Sequence, residues 1–276
     1  MDIQWTETPG TEFSVLKYET SAQATGVVLI TLNRPNVMNA FNSRLSAELG
    51  DALFMAREDS EVRVAIVTGA GDRAFSSGGD FKERGKLTLE QWRRHHEIYE
   101  HTHRVIRTFP KPLIAAVNGD ALGGGCEAAM SMDVIIATRA ARFGQPEVLR
   151  GIIPGVGGSQ LWPRLVPRGI ALEVLMSGGY LTAERAASLG LVNQLVEDVN
   201  RLVPACLDLA MKIAEASPNA VRQVKRAVRL GAGIPLEAAI EVELECYELA
   251  IQHPDRVEGT QAFLERRRPV FEDKSS

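Results

Sequence analysis

Up to about Val199, strand-like and helical runs alternate along this chain, and that order constrains the fold more than any other feature. Gly26–Leu32 (GVVLITL) is a short β-branched run. It stops at Asn33-Arg34-Pro35, because proline restricts its own backbone and its neighbour's. Ser43–Glu58 sets Leu45, Leu49, Leu53 and Phe54 on one helical face. Val62–Thr68 (VRVAIVT) reads as a buried strand that turns at Gly69–Asp72, and Trp92–Thr108 reads as a helix. Leu113–Val117 is a strand entered through Pro110–Pro112 and ended by the Asn118-Gly119 turn signal. Gly123–Gly125 leads into a helix of small residues, Cys126–Met132. The strand Val134–Ala137 follows, and later a helix, Thr182–Leu189, capped by Thr182. This order predicts an α/β protein with a layered core.

Beyond Val199 the strand signals vanish. Leu202–Ala216, Pro218–Leu230, Pro235–Gln252 and Arg256–Arg267 carry helical spacing, with Ser217 and Pro218 as N-cap and first helical residue of the second. The chain of 276 residues is expected to divide into a core over 1–199 and a helical segment over 200–276.

Composition excludes several classes. The formal charge of −4 gives no support to nucleic-acid binding. No apolar run approaches the roughly 18–20 residues of a membrane span. Met1–Gly10 is polar and lacks the features of a secretory leader. Three cysteines without a C-x-x-C pair do not form a disulfide framework or a zinc site, and a reducing compartment, the cytoplasm, is expected. The 24 glycines outnumber the nine Phe, four Tyr and three Trp together, and they cluster.

Familiar motifs fail on inspection. His96 and His101 are five residues apart, about 140° around a helix at roughly 100° per residue, so they do not converge on a metal. With His95 and His103 they read as a solvated helix face. Gly119, Gly123 and Gly125 mimic a dinucleotide fingerprint, but far down the chain and without a Tyr-x-x-x-Lys pair. Gly85-Lys86 is no phosphate loop, and no Gly-x-Ser-x-Gly elbow occurs.

Three segments remain: Thr68–Glu83 (TGAGDRAFSSGGDFKE), Ala115–Ala137 (AAVNGDALGGGCEAAMSMDVIIA) and Phe143–Gly158 (FGQPEVLRGIIPGVGG). Ser77-Gly78-Gly79 and Gly123–Gly125 offer unobstructed backbone N–H groups, the second at the positive end of a helix. Two such loops facing each other suit an oxyanion, such as a thioester enolate. Glu127 and Glu147 lie beside them and suit divided acid and base work. Taken singly, Glu127 reads as a helix cap and Glu147 as a surface loop residue.

As a set, these segments resemble the crotonase, or enoyl-CoA hydratase/isomerase, superfamily. Leu181–Asn193 (LTAERAASLGLVN) and Glu258–Phe271 (EGTQAFLERRRPVF) agree, and the resemblance runs from about Gly26 to Phe271. It implies a spiral of repeated ββα units with a C-terminal helical segment that supports a homotrimer, or a homohexamer built as a dimer of trimers. It implies an acyl-CoA substrate, enoyl-CoA hydration within fatty-acid metabolism, and neither metal nor redox cofactor. The oxyanion donors fall on the Gly79 and Gly124 amides. Glu127 activates the water and Glu147 supplies the proton, with the division of roles open to exchange. Contacts to the substrate fall on Val37, Met38, Ala40, Ser77, Gly78, Asp80, Phe81, Lys82, Leu122, Gly123, Pro146 and Gly155, with Lys82 equally readable as a free surface lysine. The charged helix Leu89–Tyr99 occupies a region that lines the acyl pocket in relatives. Competing readings are another crotonase reaction (isomerisation, dehydration of a polar acyl-CoA, hydratase–lyase cleavage), a non-catalytic acyl-CoA binding protein and, more distantly, an oxidoreductase.

Overall fold

The computed structural model describes residues 3–271. Met1, Asp2 and residues 272–276 lie outside it, and with them the outermost ends of both expected domains and the start of the polar N-terminal stretch.

Three strands open the chain: β1 (Thr6–Glu7), β2 (Leu16–Thr20) and β3 (Val27–Leu32). Helix α1 (Ser43–Glu58) follows, its first turn closed by the Asn42 side chain, which accepts from the Leu45 amide at 2.9 Å. A strand–strand–helix theme then runs three times. First come β4 (Val64–Gly69), β5 (Ala74–Ser76), α2 (Phe81–Arg84) and α3 (Leu89–Thr108). Next are β6 (Leu113–Val117), β7 (Asp120–Leu122) and α4 (Gly124–Met130). Last are β8 (Val134–Thr138), β9 (Arg142–Gly144), a 3-10 turn over Pro146–Arg150 and α5 (Gly158–Leu165). The chain continues through α6 (Arg168–Ser177), β10 (Tyr180–Thr182), α7 (Ala183–Ser188), β11 (Gln194–Val196), α8 (Val199–Ala214), α9 (Pro218–Gly231), α10 (Leu236–Ile251) and α11 (Asp255–Glu265).

Each repeat gives its first strand to a large sheet, ordered β1-β2-β3-β4-β6-β8-β11, and its second to a small one, ordered β10-β9-β7-β5. From β3 to β11 the large sheet is parallel, and β5, β7 and β9 are parallel in the small one. This is the expected spiral of ββα units.

The apolar runs explain the layers. Strand side chains alternate between faces, and strands covered on both sides become apolar throughout. Val28, Ile30, Ala65, Val67, Leu113 and Ala115 face one core with Leu45, Leu49 and Leu53 of α1. Val27, Leu29, Val64, Ile66, Ile114 and Ala116 face the other, sealed by Leu202, Cys206, Leu207 and Ala210 of α8. The expected 199/200 boundary therefore falls at the start of a helix that is part of the core. The predicted helices and long strands are present with shifts of a few residues at their ends. The Cys126–Met132 helix, for example, begins at Gly124. The expected Leu89–Tyr99 and Trp92–Thr108 helices are one element, started by a Thr88/Gln91 capping box.

One expectation is overturned. The histidines of α3 do not form a solvated face. His95 and His103 are buried, and only His101 of the four is fully exposed. Their spacing on a long helix places two against the core and leaves the polar ring atoms to find partners there.

Candidate active site

The carboxyl ends of β5, β7 and β9 point the same way, and the three sequence motifs leave from them. Ser77-Gly78-Gly79 follows β5, Gly123-Gly124 follows β7, and Gln145-Pro146-Glu147 follows β9. A cavity of about 610 Å³ opens above these ends.

Two positions need glycine's backbone freedom. Gly78 has φ +87° and Gly123 φ +53°, a region that side chains with a Cβ rarely occupy. These conformations bring the loops together. A Cβ on Gly78 would lie 3.0 Å from the Gly124 nitrogen and 2.8 Å from the Leu122 oxygen. The chain beside Gly79 is pinned on both sides. The Phe41 amide donates to the Gly78 carbonyl at 2.8 Å, and the Asp80 amide to the Phe41 carbonyl at 2.7 Å. Between them the Gly79 amide makes no hydrogen bond among the described residues, and neither does the Gly124 amide at the head of α4.

Glu127 occupies the first turn of α4 and is 2% exposed. Its Oε1 accepts from the Val156 amide at 3.0 Å and the Gly158 amide at 2.6 Å. Gly158 begins α5, so a carboxylate sits at a helix N-terminus, where free N–H groups favour negative charge. The glycine-rich stretch after Arg150 thus fastens one carboxylate. Helix α3 fastens that stretch in turn. Arg107 donates to the Val156 carbonyl at 2.7 Å, and His96 Nε2 lies 3.1 Å from the Gly155 carbonyl.

Glu147 is 9% exposed, against its reading as a surface loop residue. Burial first, then the charge of Glu127, pushes its carboxyl up to about 7. A backbone hydrogen bond and the charges of Arg150 and Arg84 oppose that rise. Gln145 is fully buried beside Glu147. With its amide nitrogen toward Glu147, the orientation that satisfies both ends, Gln145 donates to the two carboxyl oxygens at 3.1 and 3.0 Å. Its oxygen then accepts from Trp162 Nε1 at 3.3 Å.

Nine of the residues singled out in the sequence line the cavity: Ser77, Gly79, Phe81, Gly123, Gly124, Glu127, Pro146, Glu147 and Gly155. The others stand outside its lining. Gly78 and the Leu122 carbonyl pack against each other where the first two loops meet. Met38 accepts from the Ser77 amide at 2.9 Å, and Val37 ends a short 3-10 turn beside it. The Ala40 carbonyl receives Arg34, which also pairs with Asp80 at 3.0 Å. Asp80 also caps α2 by accepting from the Lys82 amide, so its carboxylate is committed to structure. Lys82 is exposed.

Sequence reasoning named the α3 region but missed its individual wall residues, including Trp92, His96 and Tyr99, and missed Arg84, Ile152 and Val156. It also missed His103, whose Nδ1 and Nε2 lie 2.9 Å from the Tyr99 carbonyl and 3.0 Å from the Gly124 carbonyl. Burial pulls this imidazole below its ordinary range, with Glu127 and the two carbonyls opposing. Among the described residues no three His, Cys, Asp or Glu side chains group as metal ligands.

Known proteins share this architecture. The family model described as enoyl-CoA hydratase/isomerase matches residues 22–274. A crotonyl-CoA hydratase of Syntrophomonas wolfei is 38% identical over 248 residues, 90% of this chain and 95% of that protein. A short-chain-enoyl-CoA hydratase of Clostridium acetobutylicum is 38% identical over 242 residues, 88% of this chain and 92% of that protein. The crystal structure of an enoyl-CoA hydratase from Bacillus anthracis superposes with a TM-score of 0.90 at 37% identity, covering 95% of this chain and all of that one. With a family model matched over residues 22–274, relatives matched over most of both lengths and a solved fold that superposes on nearly the whole chain, this chain belongs to the enoyl-CoA hydratase/isomerase family.

Proposed function

We propose that this protein adds water across the α,β double bond of a 2-enoyl-CoA to give a 3-hydroxyacyl-CoA. One observation carries the reading: two buried glutamates and two unpaired loop amides meet in one cavity at the ends of three parallel strands.

The thioester oxygen sits between the Gly79 and Gly124 amides, which stabilise the negative charge that develops as the enolate forms. Losing one such donor typically costs about 3–4 kcal/mol of transition-state stabilisation. Glu127, held at Oε1 by two amides, takes a proton from water through Oε2 as the water oxygen bonds to Cβ. Glu147, with its carboxyl near 7, holds a proton in the neutral range and delivers it to Cα. The two transfers together add H and OH, and neither metal nor redox cofactor is required. The substrate enters past Ser77, Phe81, Gly123, Pro146 and Gly155, with the Val37–Ala40 segment, Gly78, Asp80, Lys82 and Leu122 shaping the side that receives coenzyme A. The setting is cytoplasmic fatty-acid metabolism.

The helices after α8 complete the protein as a homotrimer, or as a pair of trimers. Val224, Val228, Leu236, Ile240, Leu244 and Phe263 are exposed on α9, α10 and α11, the pattern of a surface awaiting a partner. Purified protein should remove the ultraviolet absorbance of crotonyl-CoA and release a 3-hydroxyacyl-CoA identified by mass spectrometry. Binding without turnover would point to a carrier, and a shifted double bond to an isomerase.

A further inference from the structure

Arg84 ends α2 and lines the cavity. Its guanidinium lies 4.2 Å from the Tyr99 ring centroid and 5.4 Å from that of Trp92, so it is stacked on the α3 wall. A Cβ on Gly79 would sit 2.9 Å from its Cζ, which puts the cation against the residue that supplies an oxyanion amide. Arg84 Nε is buried without a hydrogen-bond partner, and no ion pair engages this side chain among the described residues. A guanidinium keeps its charge and offers five N–H donors in a planar fork.

The neighbouring carboxylates are already held. Asp80 pairs with Arg34. Glu83 accepts from His95 at 2.8 Å and from the Ser43 amide at 2.9 Å. Glu127 holds two backbone amides, and Glu147 holds Gln145; the Arg84 charge acts on Glu147 across the cavity without an ion pair forming among the described residues. Arg93 and Arg150 add positive charge to the same cavity, whose other walls include Phe81, Ile152 and Val156. A half-buried guanidinium whose Nε is buried without an acceptor leaves donors unmatched at the cavity wall, so the complementary group is expected to arrive with the ligand. Arg84 is stacked on the α3 wall beside Gly79 and lines the cavity that holds Glu127 and Glu147, a position suited to a group carried on the acyl chain.

We propose that Arg84 receives a carboxylate on a short acyl chain, so that the preferred substrate is a 2-enoyl-CoA whose acyl group ends in a carboxylate. The proposal rests on the hydratase reading for turnover but not for binding.

Calorimetry on the full chain with thioesters that cannot be hydrated separates the two. Glutaryl-CoA should bind about ten-fold or more tightly than butyryl-CoA. In Arg84→Met that ratio should fall to about one, and Arg84→Lys should retain part of it. In turnover, kcat/KM for glutaconyl-CoA should exceed that for crotonyl-CoA, which lacks only the terminal carboxylate, and Arg84→Met should erase the difference. Equal binding of glutaryl-CoA and butyryl-CoA to the unaltered protein overturns the proposal, and this arm needs no variant to fold. A preference that survives Arg84→Met also overturns it. So does an equal loss of affinity for free CoA in that variant, because the side chain would then serve phosphates. If neither enoyl thioester is hydrated while the binding preference stands, the hydratase reading fails and the role of Arg84 does not.

Discussion

Glu127 and Glu147 are separated along the chain by β8 and β9 yet share one cavity, and their surroundings differ in kind. Glu127 is gripped by two amides, whereas Glu147 is buried beside a like charge and braced by one side-chain amide. Glu127→Gln and Glu147→Gln should each lower kcat for hydration by about 100-fold or more, the usual weight of a positioned acid or base, with the fold intact by circular dichroism. A proton donor titrating near 7 also sets a pH profile. Turnover should fall as pH rises through about 7, where Glu147 loses its proton. Stability follows the same sign. From the ordinary 4.5 up to about 7, the unfolded chain releases this proton while the folded chain keeps it. Folded stability from this group is therefore full below 4.5 and is lost as pH rises, by on the order of 3 kcal/mol in all. Denaturant midpoints should accordingly improve for Glu147→Gln relative to the unaltered protein between pH 5 and pH 8. A constant difference across that range would refute the shift.

At the scale of elements, α3 is the frame of the site. It sets His103 between the Tyr99 and Gly124 carbonyls and holds the Val156 carbonyl through Arg107, so it packs against an oxyanion loop and steadies the grip on Glu127. Arg107→Met should lower kcat several-fold with little change in KM. It should also lower Tm by about 2–4 °C, as expected for one lost hydrogen bond in a chain of this size. The first turn of α4, packed on β5, tolerates less. A Cβ on Gly125 would overlap the Ser76 carbonyl oxygen, so Gly125→Ala should destabilise by about 1–3 kcal/mol in denaturant titration. The long strands and helices were legible because burial writes apolar runs and 3.6-residue periods into the chain. Strands β5, β7 and β9 were not, since three residues are too few to show a period. The glycine loops and the two glutamates were legible from chemistry and from resemblance. Arg84 and His103 were not, because nothing local to a helix marks a polar side chain that finds its surroundings only in the folded core.

For the whole molecule, α8 belongs to the sheet while α9, α10 and α11 leave large apolar side chains exposed. Light scattering on the purified protein should give a mass of three or six chains, and Leu236→Glu combined with Ile240→Glu should shift it toward smaller species. A stable monomer at micromolar concentration would remove the proposed role of this segment. The site itself has no home in any single repeat: its amides and carboxylates come from matching places in three successive layers of the spiral. The chain therefore has no partial version of the site to offer during synthesis or refolding. Sheet signal in the far ultraviolet should return before hydration does, and the lag between them measures how long the third layer takes to dock on the other two.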